Sequence, residues 1–416
     1  MQTQLSQEFI EDAGAQEAAA LLRKCVHCGF CNATCPTFQL LGDELDGPRG
    51  RIYLIKQVLE GADVTRSTQL HLDRCLTCLN CQTTCPSGVE YGRLIDIGRE
   101  LVEQRVRRAP LERAARWLLR EGLTSSWFTP ALRLGQALRA LLPESIKNKV
   151  PPRPRPRPRP PPLPAQAPAR EHVSKVLVLQ GCVQPAMLPN IDRAAARVLD
   201  AAGIEVVYAQ GTGCCGAVRT HLSDHAGGLN DMRRNIDAWD AQLAAGGVRA
   251  VVSSASACAL SLKDYGRALA GDPAYADKAA RISALACDLS ELLPQISESL
   301  KERIRPSKLG TLAFHPPCTL QHGQKIRGVV EEELRALGFD IALARDESHL
   351  CCGSAGTYSV LQPQLAGRLR ERKLEALGAL KPSCILSANV GCIAHLQSGT
   401  TTPVKHWIEM LDEVLI

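Results

Sequence analysis

Two short cysteine runs constrain this chain more than any other feature of its sequence. Each run holds four cysteines at the spacing C-x2-C-x2-C-x3-C and ends in proline, first as CVHCGFCNATCP and then as CLTCLNCQTTCP. The N-terminal stretch MQTQLSQEFIEDAGAQEAAA lacks the basic and apolar regions of a signal peptide, so we expect a cytosolic, reducing location. Thiols this close together in such a compartment indicate metal binding rather than disulfides.

The spacing of both runs is typical of bacterial [4Fe–4S] ligation, in which the fourth cysteine of each run ligates the other cluster. We therefore expect two [4Fe–4S] clusters with crossed ligands. The ligands of cluster 1 would be Cys25, Cys28, Cys31 and Cys85, and those of cluster 2 would be Cys75, Cys78, Cys81 and Cys35. Zinc is the alternative, but zinc sites usually split four thiolates into two separated C-x-x-C pairs.

The residues around the two runs favour a helical variant of the two-cluster ferredoxin domain. Apolar residues recur at helical spacing in the segment that ends at Gly61, and a second helical pattern follows Cys85. Arg49, Arg51 and Arg74 lie near the loops, where they could tune cluster potential; we expect them on a solvated surface.

Residues 106–150 continue the amphipathic helical pattern, and residues 151–171 form a linker rich in proline and arginine. Proline at alternate positions excludes helices and sheet ladders and favours polyproline II. The linker arginines Arg153, Arg155, Arg157 and Arg159 could contact an acidic partner or anionic lipid, but solvation of the linker is the favoured interpretation.

The second half of the chain contains a repeat of alternating strands and helices, which predicts parallel sheets with right-handed crossovers. Four cysteines recur between the copies at offsets of 134 to 137 residues, each just after a predicted strand. The carboxyl edge of a parallel sheet is where ligands bind, so these thiols are a candidate additional metal or acceptor site. The residues are Cys182, Cys214, Cys215 and Cys258 in the first copy, and Cys318, Cys351, Cys352 and Cys392 in the second. The alternative is that they pack as small hydrophobic residues.

Two further cysteines and three histidines have other expected roles. Cys287 and Cys384 have no counterpart in the other copy, and we expect them in the core. His315, His322 and His349 flank the thiols of the second copy. Each is a candidate ligand or proton donor to a quinone, although a structural or surface role is the favoured interpretation.

These observations define a multidomain α plus α/β protein. The predicted parts are a helical two-cluster ferredoxin-like domain (1–105), a helical connector (106–150), a Pro/Arg linker (151–171) and two α/β repeats with parallel sheets (172–300 and 308–416). The formal net charge of +6 is modest and does not argue for a nucleic-acid partner. No G-x-G-x-x-G motif opens a helix after a strand, so no dinucleotide site is expected.

Two ferredoxin-type quartets followed by two CCG repeats resemble the iron–sulfur subunits of glycolate oxidase (glycolate dehydrogenase). The stretches HPPCTLQHGQ, LCCGSAGTYS and ANVGCIAHLQSGTTTPVKHWIEMLDE carry this resemblance in the second half, and both cysteine runs carry it in the first. The resemblance implies an electron-transfer subunit without catalytic residues of its own. Partner subunits that bind FAD would oxidise glycolate to glyoxylate, and the electrons would pass to a membrane quinone.

The resemblance leaves alternatives open. The same architecture occurs in iron–sulfur subunits of glycerol-3-phosphate dehydrogenase and of lactate dehydrogenase complexes. In CCG repeats of the heterodisulfide-reductase type a further C-x-x-C completes the cluster site, whereas Cys258 and Cys392 stand alone here. A zinc-stabilised nucleic-acid or scaffold module is a third hypothesis. We expect a cytoplasmic location, peripheral on the inner face of the cytoplasmic membrane.

Overall fold

The computed structural model describes residues 1–141, 150, 172, 174–306 and 309–416. The Pro/Arg linker and the end of the helical connector, for which the sequence predicts polyproline II and helix, lie outside these residues. The fold class expected from the sequence is confirmed: a helical N-terminal part is followed by two parallel α/β sheets.

Within residues 1–141, the N-terminal part is built from nine α-helices. They are α1 (Ala13–Arg23), α2 (Phe30–Ala33), α3 (Pro36–Leu41), α4 (Pro48–Leu59), α5 (Arg66–Asp73), α6 (Asn80–Thr84), α7 (Tyr91–Arg105), α8 (Pro110–Thr124) and α9 (Phe128–Ala137). Short 3-10 turns cover Gln7–Phe9, Glu44–Asp46 and Arg139–Leu141. Two of these helices begin at a side-chain N-cap. Asp12 accepts a hydrogen bond from the Ala15 amide at the start of α1, and Thr65 accepts one from the Thr68 amide at the start of α5.

The helices α1, α4 and α7 enclose the N-terminal core. Leu22, Ile55, Leu59, Leu94 and Ile95 are all fully buried there. Burying each such side chain contributes about 1.5–3 kcal/mol. This core holds the two cysteine runs together, since both runs are loops between its helices.

The second half contains two four-stranded parallel sheets of identical topology. The first has the order β2-β1-β3-β4, and the second has the order β6-β5-β7-β8. The strands are β1 (Ser174–Val178), β2 (Ile204–Val207), β3 (Val248–Ser253), β4 (Ala286–Asp288), β5 (Leu312–Phe314), β6 (Ile341–Ala342), β7 (Cys384–Ser387) and β8 (Val404–His406). The repeat predicted from the sequence is confirmed, and β4 and β8 are strands that it missed.

Helices connect and cover the strands of both sheets. In the first repeat they span Gln184–Met187, Asn190–Ala201, Ala217–His221, His225–Ala244, Ser256–Lys263, Tyr265–Ala268, Ala276–Leu285 and Leu289–Leu300. In the second they span Val329–Ala336, Tyr358–Leu361, Pro363–Gly378, Val390–Gln397 and Trp407–Glu413, and a π-helical turn covers Thr319–Gly323. Among the described helices, none combines the length and apolar character needed to cross a membrane.

The two repeats share one hydrophobic core. A single cluster of buried side chains includes Val198 and Ile296 of the first repeat and Phe314 and Trp407 of the second. Polar contacts also join the repeats: the His406 Nε2 atom lies 2.9 Å from the carbonyl oxygen of Ser254. The sheets are therefore held in a fixed mutual position by burial as well as by hydrogen bonds.

Cys287 and Cys384 lie in strands rather than at the sheet edge. Cys384 is in β7 and buried in the shared core, as expected from the sequence. Cys287 is in β4, half-buried and packed against the same core.

Candidate metal centre

The two cysteine runs fold into loops with the same unusual backbone. His27 (φ 58°) and Gly29 (φ 85°) in the first loop correspond to Thr77 (φ 52°) and Leu79 (φ 61°) in the second, all in the left-handed region. A residue other than glycine costs roughly 1–2 kcal/mol in this conformation. Because three non-glycine residues adopt it at matched positions, the surrounding structure must impose this curvature on both loops.

Two cavities lie between these loops, and the cysteines divide between them. The first has an empty volume of about 440 Å³. Its thiol lining comprises Cys25, Cys28, Cys31 and Cys85, with Cys81 at one wall. The second has an empty volume of about 290 Å³ and is lined by Cys35, Cys75, Cys78 and Cys81. The fourth cysteine of each run thus faces the cavity formed by the first three of the other.

The thiols of these cavities range from buried, as at Cys35, Cys75 and Cys81, to exposed at Cys28, and they oppose one another's ionisation. Burial and then the neighbouring Cys25 and Cys85 raise the pKa of Cys31 to about 11. Burial also raises the pKa values of Cys78 and Cys81 well above their usual range. A bound cation would offset this cost by favouring the thiolates, and soft thiolate ligands suit iron–sulfur clusters. The residues present therefore fit two four-thiol clusters.

Several groups point hydrogen-bond donors at these sulfurs. The Thr77 amide donates to Cys75 Sγ at 3.4 Å, and the Tyr91 hydroxyl lies 3.9 Å from the same sulfur. At Cys35, the Thr37 hydroxyl lies 3.3 Å from Sγ but donates its proton to the Asp46 carbonyl at 2.8 Å, so the sulfur is the donor in that contact. Hydrogen bonds to ligand sulfurs are one of the means by which proteins set cluster potential.

The expectation that the nearby arginines form a solvated surface is wrong for Arg51. This side chain is only 1% exposed, and its guanidinium lies 3.5 Å from the buried carboxylate of Asp46. Arg74 is half-buried and pairs with the other oxygen of Asp46 at 2.8 Å, while Arg49 pairs with Glu44 at the surface. Arg51 also lines the second cavity, so a fixed positive charge lies beside its thiols.

The CCG cysteines of the first repeat lie side by side. In the order Cys182, Cys214, Cys215 and Cys258, each thiol is close enough to the next for the two to affect each other's pKa. The neighbouring Cys214 thiol, and then burial, raise the pKa of Cys182. The structure thus brings together all four thiols that the sequence predicts at this sheet edge.

The second repeat has the same arrangement. Cys318, Cys351, Cys352 and Cys392 follow one another in the same way, each close enough to the next to affect its pKa. Gly353 follows the paired cysteines in the left-handed region (φ 89°), and a Cβ atom there would lie 2.6 Å from the carbonyl oxygen of Ala366. Glycine is therefore required at this turn, which directs the paired thiols inward.

The second repeat adds a histidine to its thiols. His315 is 1% exposed, and neither ring nitrogen has a hydrogen-bond partner. One ring nitrogen of His315 and the Sγ atoms of Cys352 and Cys392 all lie within 4.8 Å of one another. Leu179 occupies the corresponding position of the first repeat, at the offset that relates the first cysteine of each copy. A structural role, which the sequence favoured, does not explain a buried imidazole without partners.

The other two histidines match the structural and surface roles favoured from the sequence. His322 Nε2 lies 2.8 Å from the carbonyl oxygen of His349, and its Nδ1 lies 3.0 Å from the Thr83 hydroxyl. His349 is exposed. Burial lowers the pKa of His322 to about 4, so its ring is neutral at physiological pH.

The second cavity adjoins the second repeat, a contact that no sequence motif predicts. Cys78 lies close enough to Cys318 and Cys351 for the three thiols to affect one another's pKa. Around them is an apolar cluster of buried side chains, comprising Leu76, Cys318, Cys351, Tyr358, Leu365, Ala366 and Leu369. Contacts to the first repeat include ion pairs, such as Asp96 with His221 at 3.6 Å. The contacting residues are far apart in sequence and have no motif, so sequence reasoning could not find them.

Comparison with known proteins places these sites in a family. The model of the 4Fe-4S dicluster domain matches residues 21–89, and the model of the cysteine-rich domain matches residues 176–263 and 312–397. The glycolate oxidase iron–sulfur subunit of Escherichia coli K12 is 52% identical over all of this chain and 99% of its own length. The chain belongs to this family. The resemblance drawn from the cysteine motifs is thereby confirmed, and the dicluster match supports iron–sulfur clusters over zinc.

More distant relatives have related names. The probable glycolate oxidase iron–sulfur subunit of Bacillus subtilis is 29% identical over 95% of this chain and 92% of its own length. Lactate utilization protein A of Geobacillus thermodenitrificans is 24% identical over 57% of this chain and 98% of its own length. The second of these similarities covers only part of the chain.

Proposed function

We propose that this chain is the iron–sulfur electron-transfer subunit of a glycolate oxidase complex. The observation that carries the proposal is the division of eight cysteines into two four-thiol sets around separate cavities. When bound, each cluster supplies one-electron redox chemistry, which suits the removal of electrons from a flavin that accepts two. The full-length similarity to the Escherichia coli subunit supports the choice of complex.

The ligand sets follow the cavities. Cluster 1 would be held by Cys25, Cys28, Cys31 and Cys85, and cluster 2 would be held by Cys75, Cys78, Cys81 and Cys35. The chain's own residues hold the clusters, limit their contact with water and direct amide and hydroxyl donors at the sulfurs. No residue of this chain is assigned a role in glycolate oxidation.

The chemistry of the substrate belongs to partner subunits in this proposal. They would bind FAD and oxidise glycolate to glyoxylate, and a membrane quinone would accept the electrons. The chain itself would be peripheral on the inner face of the cytoplasmic membrane. A complex that oxidises lactate or glycerol 3-phosphate is the alternative, and co-purification of this chain with either flavoprotein in place of the glycolate enzyme would favour it.

The test is the anaerobic measurement of iron and acid-labile sulfide per chain, with EPR of the dithionite-reduced protein. Two cubane clusters predict about eight irons. Cys35→Ser should damage the cluster whose other ligands begin at Cys75, and Cys85→Ser should damage the one that begins at Cys25. Loss of the opposite EPR signal in each variant would contradict the crossed ligands, and zinc without iron would contradict the function.

We further propose that the thiols of the second repeat hold an additional metal or cluster with His315. The support is the buried imidazole, which has no hydrogen-bond partner and lies beside Cys352 and Cys392. Lys373 is also buried near these thiols, where its charge would offset an anionic centre. The first repeat offers Cys182, Cys214, Cys215 and Cys258 without a histidine, so its site would have thiolate ligands alone.

His315→Leu separates the two interpretations of the second repeat, because leucine is the residue that the first repeat carries at this position. If His315 binds metal, the variant should lose metal and be less stable than the wild type. If the site is simply packed, removal of two unpartnered nitrogens should stabilise the protein, since a buried unsatisfied polar group costs about 1–3 kcal/mol. In urea denaturation of the full-length protein, the change in stability has opposite signs in the two cases. Metal content should fall only if His315 binds metal.

A further inference from the structure

Helix α8 lies against the body of the protein through its polar face. Glu112 forms ion pairs with Arg66 and with Arg108, both of which precede α8 in the chain. At the other end of the helix, Glu121 pairs with Arg219 of the first repeat at 2.7 Å. These contacts fix which side of α8 faces inward.

The apolar face of α8 therefore points to solvent. Leu111 is 85% exposed, and Trp117 and Leu118 are also exposed, while no residue of α8 is buried. A surface helix of a globular protein normally turns its apolar side to the core and its charged side to water. This helix has the reverse orientation, so its apolar side is left without a partner within the described part of the chain.

The same arrangement continues in the next segment. Trp127 is 77% exposed, Leu134 and Leu138 are exposed, and Leu141 is 81% exposed. The spacing of these positions by seven, four and three residues places them on one side of α9 and its 3-10 extension. We refer to the exposed set as the outward stripe, which comprises Leu111, Trp117, Leu118, Trp127, Leu134, Leu138 and Leu141.

The charge of the surrounding sequence indicates what the outward stripe contacts. Within the described part of this segment, residues 105–141 contain eight arginines and two glutamates, a net charge of +6 that equals the formal net charge of the whole chain. Arg113 and Arg133 are exposed beside the stripe and form no ion pair within the part of the chain that the structure describes. A surface that is both apolar and strongly basic matches an anionic lipid bilayer, which offers acyl chains beneath negative headgroups.

We propose that the outward stripe is the surface by which this protein docks on an anionic membrane. The apolar side chains enter the boundary between headgroups and acyl chains, the arginines contact lipid phosphates, and the two exposed tryptophans lie at headgroup level. The inference rests on the peripheral membrane location proposed above and names the contact that produces it. It does not depend on the identity of the electron donor.

The test is flotation of the full-length protein with phosphatidylcholine vesicles, with and without phosphatidylglycerol. The wild type should float only with the anionic vesicles and should be released by salt. The double variant Trp127→Glu/Leu134→Glu should bind about tenfold more weakly or worse, because two apolar contacts are replaced by repelled charges. Ile416→Glu is the matched control, since Ile416 is 75% exposed but lies outside the stripe.

Tryptophan fluorescence gives a second measurement that needs no destabilising change. The chain has four tryptophans, of which Trp239 and Trp407 are fully buried. Brominated lipids should therefore quench only Trp117 and Trp127, and Trp117→Phe/Trp127→Phe should abolish the quenching.

Three outcomes would overturn the docking proposal: no binding to anionic vesicles, equal binding by the wild type and the stripe variant, or unquenched fluorescence. If the stripe variant instead loses its flavoprotein partner while the wild type ignores vesicles, the stripe is a protein interface. Iron and sulfide are measured on every variant. A loss of iron and sulfide would show that the electron-transfer function fails, whatever the result of flotation.

Discussion

Replacement of Arg51 by methionine should destabilise the N-terminal half strongly. The guanidinium is buried, with Nη2 3.5 Å from an Asp46 carboxylate oxygen, Nε donating to the His71 carbonyl at 2.7 Å and Nη1 donating to the Thr37 hydroxyl at 3.2 Å. Removal of one partner from a buried ion pair typically costs about 3–5 kcal/mol, because the other charge is left uncompensated. Since Asp46 keeps its contact with Arg74 at 2.8 Å, we expect the lower end, about 3 kcal/mol.

The assay is anaerobic urea denaturation of the full-length protein, followed by far-UV circular dichroism. Arg49→Met is the matched control, because Arg49 pairs with Glu44 at the surface, where an ion pair contributes at most about 1 kcal/mol. The Arg51 variant should also lower the reduction potential of the cluster in the second cavity, because it removes a positive charge beside the thiols. A loss below about 1 kcal/mol, or an equal loss in both variants, would refute the assignment of Arg51 as a buried charge partner.

Three other predictions concern single side chains. Burial raises the pKa of Asp192 from 3.8 to about 6, so its contribution to stability falls as pH rises through this range. Asp192→Asn should remove that loss and stabilise the protein by up to about 3 kcal/mol at pH 8 in urea denaturation, with a smaller gain near pH 5. Gly353→Ala should cost at least about 2 kcal/mol in the same assay, because φ is 89° and the new Cβ would lie 2.6 Å from the Ala366 carbonyl oxygen; an unchanged midpoint would contradict the turn geometry. Thr83→Val removes a hydroxyl 3.0 Å from His322 Nδ1 and should weaken the contact between the two halves by about 1 kcal/mol, measured as faster hydrogen exchange at that interface.

The sequence predicted those features that depend on local spacing. Cysteines at fixed short intervals predict which loops surround a cluster. The pattern of apolar residues predicts strands such as Val248–Ser253 and helices such as Pro48–Leu59. The registered CCG cysteines likewise predict thiols at one sheet edge, because the carboxyl ends of parallel strands meet there. These are consequences of short-range geometry, which a single sequence contains.

The features that the sequence missed depend on contacts between distant segments. The strands Ala286–Asp288 and Val404–His406 are three residues long, too short for periodicity to distinguish them from loops. Arg51 is buried only because Asp46 and the second cavity surround it, and the sequence offers no measure of that burial. The proximity of Cys78 to Cys318 likewise arises from packing of the two halves, which no local motif encodes.

The common core of the two repeats bears on how this protein can evolve. Each sheet carries a thiol pocket at the same edge, and neither sheet can unfold without exposing apolar side chains of the other. A substitution within one pocket, such as histidine at position 315 where the first repeat has Leu179, leaves the scaffold of the other intact. The two repeats thus carry equivalent thiol pockets on one shared core. The residues of each pocket can change one at a time while the distance between the pockets stays constant.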